Sequence, residues 1–370
     1  MNASERRAIV SIGLIFALRM LGLFMIVPVF STYGTQYAHA TPFLLGLAVG
    51  IYGLTQAVMQ IPLSVLADRV PRKPIILAGL VLFAIGGVIC ATADSIYQVI
   101  IGRALAGSGA VSAVLLALLA DVTREQTRTK AMAVMGMTIG ATIMASFVIG
   151  PVLVASLGMS GLFWLTAVFA VGAMGLLFAI PTPTRLLKQT LGEQSLINQL
   201  RTVLSMGDLN RLHVGIFALH LTMTAIFVLL PLQLAEVLDL TVRQQGLVYL
   251  PLLLVSFAIA IPMIIVGEVK RKMRQVFLLA VGTMVLAMGV LGLTWQWGVG
   301  LVVGLGLYFI GFNALEATIP SWISNVAPVA NKATAMGLTS SSQFLGAFVG
   351  VSLGGFLLTQ SPTVAWLVLG

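Results

Sequence analysis

The feature that most constrains this chain is a series of long apolar stretches separated by short polar segments. A helix needs about 20 apolar residues to cross a hydrocarbon core of about 30 Å. Eleven stretches of the 370-residue chain meet this requirement, at 9–33, 43–66, 75–93, 96–120, 131–156, 161–180, 212–236, 245–267, 275–294, 298–324 and 333–359. Thr363 to Gly370 would begin a twelfth helix, incomplete in this chain. The predicted fold class is an all-α polytopic membrane protein.

The composition excludes several other classes of protein. Apolar residues make up 59% of the chain and charged residues 8%, against about a quarter charged in soluble domains. A water-soluble enzyme, a nucleic-acid-binding domain and a disordered chain are therefore excluded, because each would need a more polar sequence. Cys90 is the single cysteine, so neither an internal disulfide nor a cysteine-rich zinc site is expected. We predict no metal, no cofactor and no nucleic-acid partner.

The basic residues are distributed unequally between the two sides of the predicted membrane. Seventeen of the 20 Lys and Arg residues fall in alternate loops or at the N-terminus, and the opposite loops hold only Arg243. Cytoplasmic loops carry the excess of Lys and Arg in membrane proteins. We therefore expect an integral protein of a bacterial inner membrane with a cytoplasmic N-terminus.

The chain repeats itself at an offset of about 200 residues. Phe16–Arg19 returns as Phe217–His220, and Phe24 returns as Phe227. Six predicted spans separate the copies, so both halves share one topology, as in a parallel repeat about an axis along the membrane normal.

This repeat predicts three regions: an N-terminal six-helix bundle at 1–180, a cytoplasmic linker at 181–210, and a C-terminal bundle at 211–370 with an incomplete last helix. The linker carries a basic, partly amphipathic stretch that we expect on the membrane surface. Two six-helix halves around a substrate path form the architecture of a rocking-bundle transporter.

Three motifs carry a family resemblance. The loop after span 2, from Ser64 to Pro74, resembles the G-x-x-x-D-R-x-G-R-K signature of the major facilitator superfamily. Arg103–Ala110 in span 4 is similar to that family's R-x-x-Q-G-x-G-A motif, and Gly150-Pro151 in span 5 to the core of its antiporter motif. The chain departs from these patterns at several positions, Ser64 among them. Within the family, the chain resembles the YajR-type group of drug–proton antiporters.

The resemblance also implies a gate. In the family, residues matching Asp68, Arg72 and Asp121 form a charge cluster that locks the cytoplasmic side. The alternative is that these charges only set the topology of the chain.

Ionisable residues inside the predicted spans are the main candidates for coupling or substrate binding, because burying them in a membrane is costly. They are Arg19, Arg103, Glu316 and His220. Glu316 is the one carboxylate well inside a span, and His220 corresponds to Arg19 in the repeat. The alternative is structural: Arg19 bonded to backbone carbonyls of span 5 or 11, and the others to neighbouring helices.

Neutral polar side chains accompany these residues. Asn313 lies one turn before Glu316, Tyr52 and Gln56 share a stripe on span 2, and Gln343 lies in a polar run of span 11. We expect them to line a cavity or to bond to neighbouring helices.

These features together predict a secondary transporter rather than an enzyme, because no nucleotide-binding, metal or catalytic motif is present. The expected activity is proton-coupled export of a small amphipathic molecule by alternating access. A proton-linked importer or a uniporter of the same fold stays open, as does a membrane receptor without transport. The expected partners are the substrate, protons and the bilayer, and the protein is expected to be a monomer.

Overall fold

The computed structural model describes residues 3–180, 196–328 and 332–357, and within these ranges the chain is helical with no β-sheet. The helices are α1 (Ala3–Phe24), α2 (Val27–Tyr33), α3 (Pro42–Arg69), α4 (Arg72–Ala91), α5 (Ile96–Ser108), α6 (Ser112–Val122), α7 (Glu125–Ala179), α8 (Leu196–Ser205), α9 (Gly207–Leu238), α10 (Val242–Val269), α11 (Met273–Thr294), α12 (Gly298–Val326) and α13 (Lys332–Leu357). The predicted fold class is confirmed.

The helices account for all eleven expected spans. Span 1 is α1 followed by α2, and span 4 is α5 followed by α6. Spans 5 and 6 are both contained in α7. The expected start of a twelfth span lies outside the described residues.

The long helix α7 crosses the bundle twice because its backbone leaves the helical conformation at Gly158, with φ 66° and ψ −178°. This region of φ/ψ space is essentially restricted to glycine. Both ends of α7 lie at the same end of the bundle, since Arg124 contacts Glu5 of α1 and Ile180 contacts Lys73 of α4. We call this the basic end, because the Lys- and Arg-rich loops lie there.

Buried apolar residues at the end away from the basic loops join the two halves of the molecule. Met25 and Phe30 of the first half share one cluster with Phe227, Leu230 and Tyr249 of the second. We call it the shared cluster.

Towards the basic end the buried apolar residues form separate groups. One contains only residues of the first half, such as Ile12 and Leu115, and another only residues of the second half, such as Ile216 and Ile323. In the part of the chain that the structure describes, the halves therefore share an apolar core at one end only.

Glycines allow α13 to approach helices of both halves. A Cβ atom at Gly50 of α3 would lie 3.0 Å from the carbonyl oxygen of Phe348, and one at Gly354 would lie 3.0 Å from that of Ala225 in α9. Such small-residue contacts let helix backbones pack closely in membranes.

The part of the predicted linker that is described, from residue 196, contains the short amphipathic helix α8. Val203 of α8 is fully buried in the apolar group of the second half. The Asn210 amide donates to the Leu204 carbonyl at 2.6 Å, which ties α8 to the start of α9.

Candidate functional site

Arg19 lies sixteen residues after the start of α1, close to the middle of the bundle, and its side chain is 2% exposed. Its guanidinium donates to Ser112 Oγ at 3.0 Å, to the Gly109 carbonyl at 3.1 Å and to the Tyr52 hydroxyl at 3.2 Å. It also lies 5.6 Å from the ring centre of Phe83. The structural interpretation of Arg19 predicted that its hydrogen-bond acceptors lie on span 5 or 11. That expectation was wrong, since the acceptors lie on spans 2 and 4.

The position of these acceptors follows from a break in span 4. The helix stops at Ser108 and resumes at Ser112, which leaves backbone carbonyls without helical partners. Arg19 supplies the donor to one of them, at Gly109. The interruption at Gly109 thus exposes a carbonyl that a buried cation then binds.

Arg103, the second buried arginine, binds a different part of α3. Its guanidinium donates to the carbonyls of Ala48 and Val49 at 3.2 and 3.0 Å, and it lies 5.0 Å from the ring centre of Tyr52. Tyr52 therefore lies between two cations, with its hydroxyl on Arg19 and its ring face towards Arg103. In this conformation Arg103 makes a helix-to-helix contact.

The polar stripe on α3 is buried in this conformation. The Gln56 amide is 3.4 Å from Ser112 Oγ, and its oxygen has no hydrogen-bond partner among the described residues. Neither the nitrogen nor the oxygen of the Gln60 amide has a hydrogen-bond partner among the described residues. Buried polar groups without partners are costly, and this stripe holds three such atoms among the described residues of the first half.

The second half places three of the predicted residues together. The Gln343 amide donates to Glu316 Oε1 at 3.0 Å, and Glu316 Oε2 lies 3.6 Å from His220 Nε2. The side chains of His220 and Glu316 are 12% and 35% exposed. We call these residues the carboxylate cluster.

The contact of His220 Nδ1 determines which imidazole nitrogen carries the hydrogen. His220 Nδ1 lies 3.1 Å from the Ile216 carbonyl, which can only accept, so Nδ1 carries a hydrogen. Nε2 then faces Glu316 and the Gln343 amide, which is 3.5 Å away. The cluster can therefore hold a proton on either the carboxyl group or the imidazole.

Asn313 does not join this cluster. Its amide donates to Ser256 Oγ of α10 at 2.7 Å, so it links α12 to α10. The spacing of three residues puts Asn313 near Glu316 on the helix surface, but its hydrogen bond goes to a different helix.

Two of the three predicted gate residues form an ion pair. Arg72 Nε donates to Asp121 Oδ2 at 2.6 Å, which joins the start of α4 to the end of α6. The Asp68 side chain lies outside the described residues. Both partners of the observed pair belong to the first half, and a gate between the halves stays a prediction.

A second ionic contact at the basic end was not predicted from the sequence. The Glu5 carboxylate, 3% exposed, accepts from the Arg124 backbone amide at 3.0 Å, from the Arg124 guanidinium at 2.9 Å and from the Thr127 hydroxyl at 3.0 Å. The hydrogen bond to Glu5 raises the pKa of Arg124. The partners are 119 positions apart in the chain, so no local sequence signal indicates the pair.

An aromatic contact between the halves was also not expected from the sequence. Phe147 of α7 stacks on Phe227 with ring centres 4.1 Å apart, and meets Phe24 edge-on at 6.1 Å. Phe24 and Phe227 are the repeat-related pair, so one ring of α7 contacts both copies. The repeat could have indicated this location, and at the same offset Phe147 corresponds to Phe348.

Two packed helical halves, with ionisable groups inside the spans and a core shared at one end, define a polytopic transporter fold. The sequence matches the model of the Major Facilitator Superfamily over residues 12–351. The chain belongs to this superfamily.

Curated relatives agree with this assignment. The chain is 46% identical over 363 residues to the inner membrane transport protein YajR of Escherichia coli, which covers 96% of this chain and 78% of the relative. A class E tetracycline resistance protein of Escherichia coli is 33% identical over 106 residues, or 28% of this chain and 26% of that protein. The resemblance to the YajR-type group is confirmed.

Solved structures support the same fold. A bacterial homologue of the human lysosomal transporter Spinster, in an inward-facing and unoccupied conformation, superimposes with a TM-score of 0.77 at 14% identity, covering 97% of this chain and 83% of that one.

Proposed function

We propose that this protein exports a small amphipathic molecule in exchange for protons, by alternating access between its two halves. The observation that carries the proposal is the carboxylate cluster. The Glu316 side chain is 35% exposed in the middle of the bundle, and its buried second oxygen has no hydrogen-bond partner among the described residues. A carboxyl group beside an imidazole can take up and release a proton.

The division of the apolar cores supports an alternating-access cycle. The halves share a buried cluster at one end and have separate clusters at the other. With the basic end in the cytoplasm, as the positive-inside rule predicts, this conformation faces the cytoplasm. A proton or substrate then acts by favouring one of the two conformations.

The gate proposal rests on the Arg72–Asp121 pair. An ion pair at the basic end of the first half can stabilise one conformation and break in the other. The name of one relative, a tetracycline resistance protein, supports a substrate of the drug type.

The test uses energised inverted vesicles that contain the protein. A pH-sensitive dye follows the proton gradient while lipophilic cations, sugars and amphipathic drugs are added in turn. We expect a substrate-dependent collapse of the gradient in the wild type and in Glu236→Gln, whose carboxylate is exposed at the far end of α9. The collapse should be lost in Glu316→Gln.

The other outcomes are equally informative. Gradient collapse in Glu316→Gln would place proton coupling outside the carboxylate cluster. Substrate flux without proton movement in the wild type would replace the proposal by a uniporter. Saturable substrate binding without flux would favour a receptor.

A further inference from the structure

A groove on the outer surface of the second half lies outside the region used for transport. It has a volume of about 380 Å³ and lies between α10 and α11 at the basic end. Its walls are apolar and its rim is polar, and the residues that define it are Pro262, Met263, Val266, Leu279, Lys272 and Gln275. We call it the α10–α11 groove.

The local backbone explains why this groove exists. Pro262 cannot donate a helical hydrogen bond within α10. Gly267 lies against α11 without a side chain, and its carbonyl accepts from the Lys272 amide at 2.7 Å. The two helices are therefore tied together at the turn, while α11 packs mainly along α12. The groove opens beside this turn.

The turn that closes the groove is strongly basic. Residues 268–274 contain four basic residues and one acid, Glu268, which leaves a formal excess of three positive charges. Lys270, Arg271, Lys272 and Arg274 are all exposed. Lys272 is also the N-cap of α11 and provides no side-chain acceptor, so the helix N-terminus adds to the attraction for an anion.

The surface around the groove is apolar and exposed. Ile265, Leu278 and Leu279 are each more than half exposed. In a membrane protein such a surface faces acyl chains. A ligand that fits all of these features has an apolar chain for the groove and a negative headgroup for the turn. A free anion would leave the groove unused, and a zwitterionic lipid would gain little from the excess positive charge.

We propose that the α10–α11 groove binds one anionic phospholipid of the leaflet on the basic side. Basic pockets between membrane helices are known to hold anionic headgroups. The volume is at the lower end of the range of small-molecule sites, about 300–1,000 Å³, and so accommodates part of one acyl chain.

The test is a lipid titration of the purified protein followed by native mass spectrometry. Phosphatidylglycerol and phosphatidylcholine with identical chains are compared. The double variant Arg271→Gln/Lys272→Gln removes charge from the turn, and Arg6→Gln/Arg7→Gln removes equal charge elsewhere at the basic end. Val266→Trp fills the groove. Its control is Val285→Trp, at an exposed position of α11 further from the basic end.

We expect one phosphatidylglycerol to bind more tightly than phosphatidylcholine. Its affinity should fall roughly fivefold for each charge removed from the turn, and also in Val266→Trp, but not in either control. Equal affinity for the two lipids would overturn the proposal. So would an equal loss in Arg6→Gln/Arg7→Gln, which would indicate diffuse attraction. Displacement by inorganic phosphate together with unchanged binding in Val266→Trp would indicate a free-anion site instead.

Discussion

Arg19 and His220 occupy corresponding positions in the two halves, yet their surroundings differ. Arg19 is 2% exposed and donates to three acceptors that belong to broken or neighbouring helices. His220 is 12% exposed and faces a carboxylate that is itself 35% exposed. The Arg19 guanidinium can only donate hydrogen bonds, whereas a neutral imidazole has one donor and one acceptor nitrogen.

The difference shows that a duplicated framework can keep a position and change its chemistry. In the first half the buried cation donates to a carbonyl at a helix break, and two arginines surround Tyr52. Within the described residues neither arginine donates to a carboxylate. In the second half the equivalent place holds groups that can exchange a proton. We therefore expect stability to depend on the first half and proton coupling on the second.

The largest expected effect is on stability, in Arg19→Ala. Removing the guanidinium leaves the Gly109 carbonyl and the Tyr52 hydroxyl without their donor, at about 1–3 kcal/mol for each buried group left unpaired. His220→Ala should change stability far less. Thermal unfolding in detergent measures both, with exposed Arg6→Ala as control. Equal destabilisation by Arg19→Ala and His220→Ala would remove the distinction between the halves.

Tyr52→Phe should come next. It removes an acceptor for a charged donor, which is worth about 1.5–3 kcal/mol, and keeps the ring beside Arg103. In the second half, Tyr308→Phe removes a neutral hydrogen bond to Thr222, 3.1 Å long, worth about 0.5–1.5 kcal/mol. Unfolding in detergent compares the two variants. A larger loss for Tyr308→Phe would contradict the assignment of the charged network to the first half.

Phe147→Ala tests the contact that joins the halves. Loss of its stacking on Phe227 should favour opening of the shared cluster about 2- to 12-fold, because such pairs contribute about 0.5–1.5 kcal/mol beyond burial. Opening is measured as the rate of thiol labelling of Leu230→Cys in a Cys90→Ala background. Phe178→Ala, at a strongly exposed position, is the matched control. An unchanged labelling rate would show that Phe147 does not hold this end closed.

The smallest effect concerns the ion pairs at the basic end. In the first half Arg124 pairs with the buried Glu5, whereas in the second half Arg211 pairs with Asp208 and both partners are more than three-quarters exposed. Exposed pairs contribute little, since water and salt screen them. Arg124→Gln should lower the unfolding temperature slightly and Arg211→Gln not measurably. The reverse order would be inconsistent with the burial of Glu5.

The spans were predictable because a membrane imposes one requirement on every crossing segment, about 20 apolar residues in a helix. Each of the eleven stretches is occupied by helix in its described part, and the repeat at Phe16–Arg19 and Phe217–His220 lies at corresponding places in α1 and α9. The separation of spans 5 and 6 was predicted, and the reversal at Gly158 lies between them. The interruption between Ser108 and Ser112 was not predicted, because it does not change the hydropathy of the sequence.

The ionisable residues of the site could be selected from the sequence, but their partners could not. Arg19 and Glu316 stood out because burial of charge in a membrane is expensive. Their hydrogen bonds join residues far apart, such as Arg19 and Ser112, which are 93 positions apart. Such pairs are set by which helices become neighbours, and a single sequence does not encode that locally.

The reversal at Gly158 bears on how the protein enters the membrane. Because one glycine turns α7 back on itself, the polypeptide between its two crossings has no hydrophilic loop to be carried through the hydrocarbon region. The two crossings can therefore insert together as one helical hairpin, with their flanking charges left on the side of synthesis. A side chain at position 158 would oppose that turn during insertion as well as in the folded protein, because the same backbone conformation is needed in both.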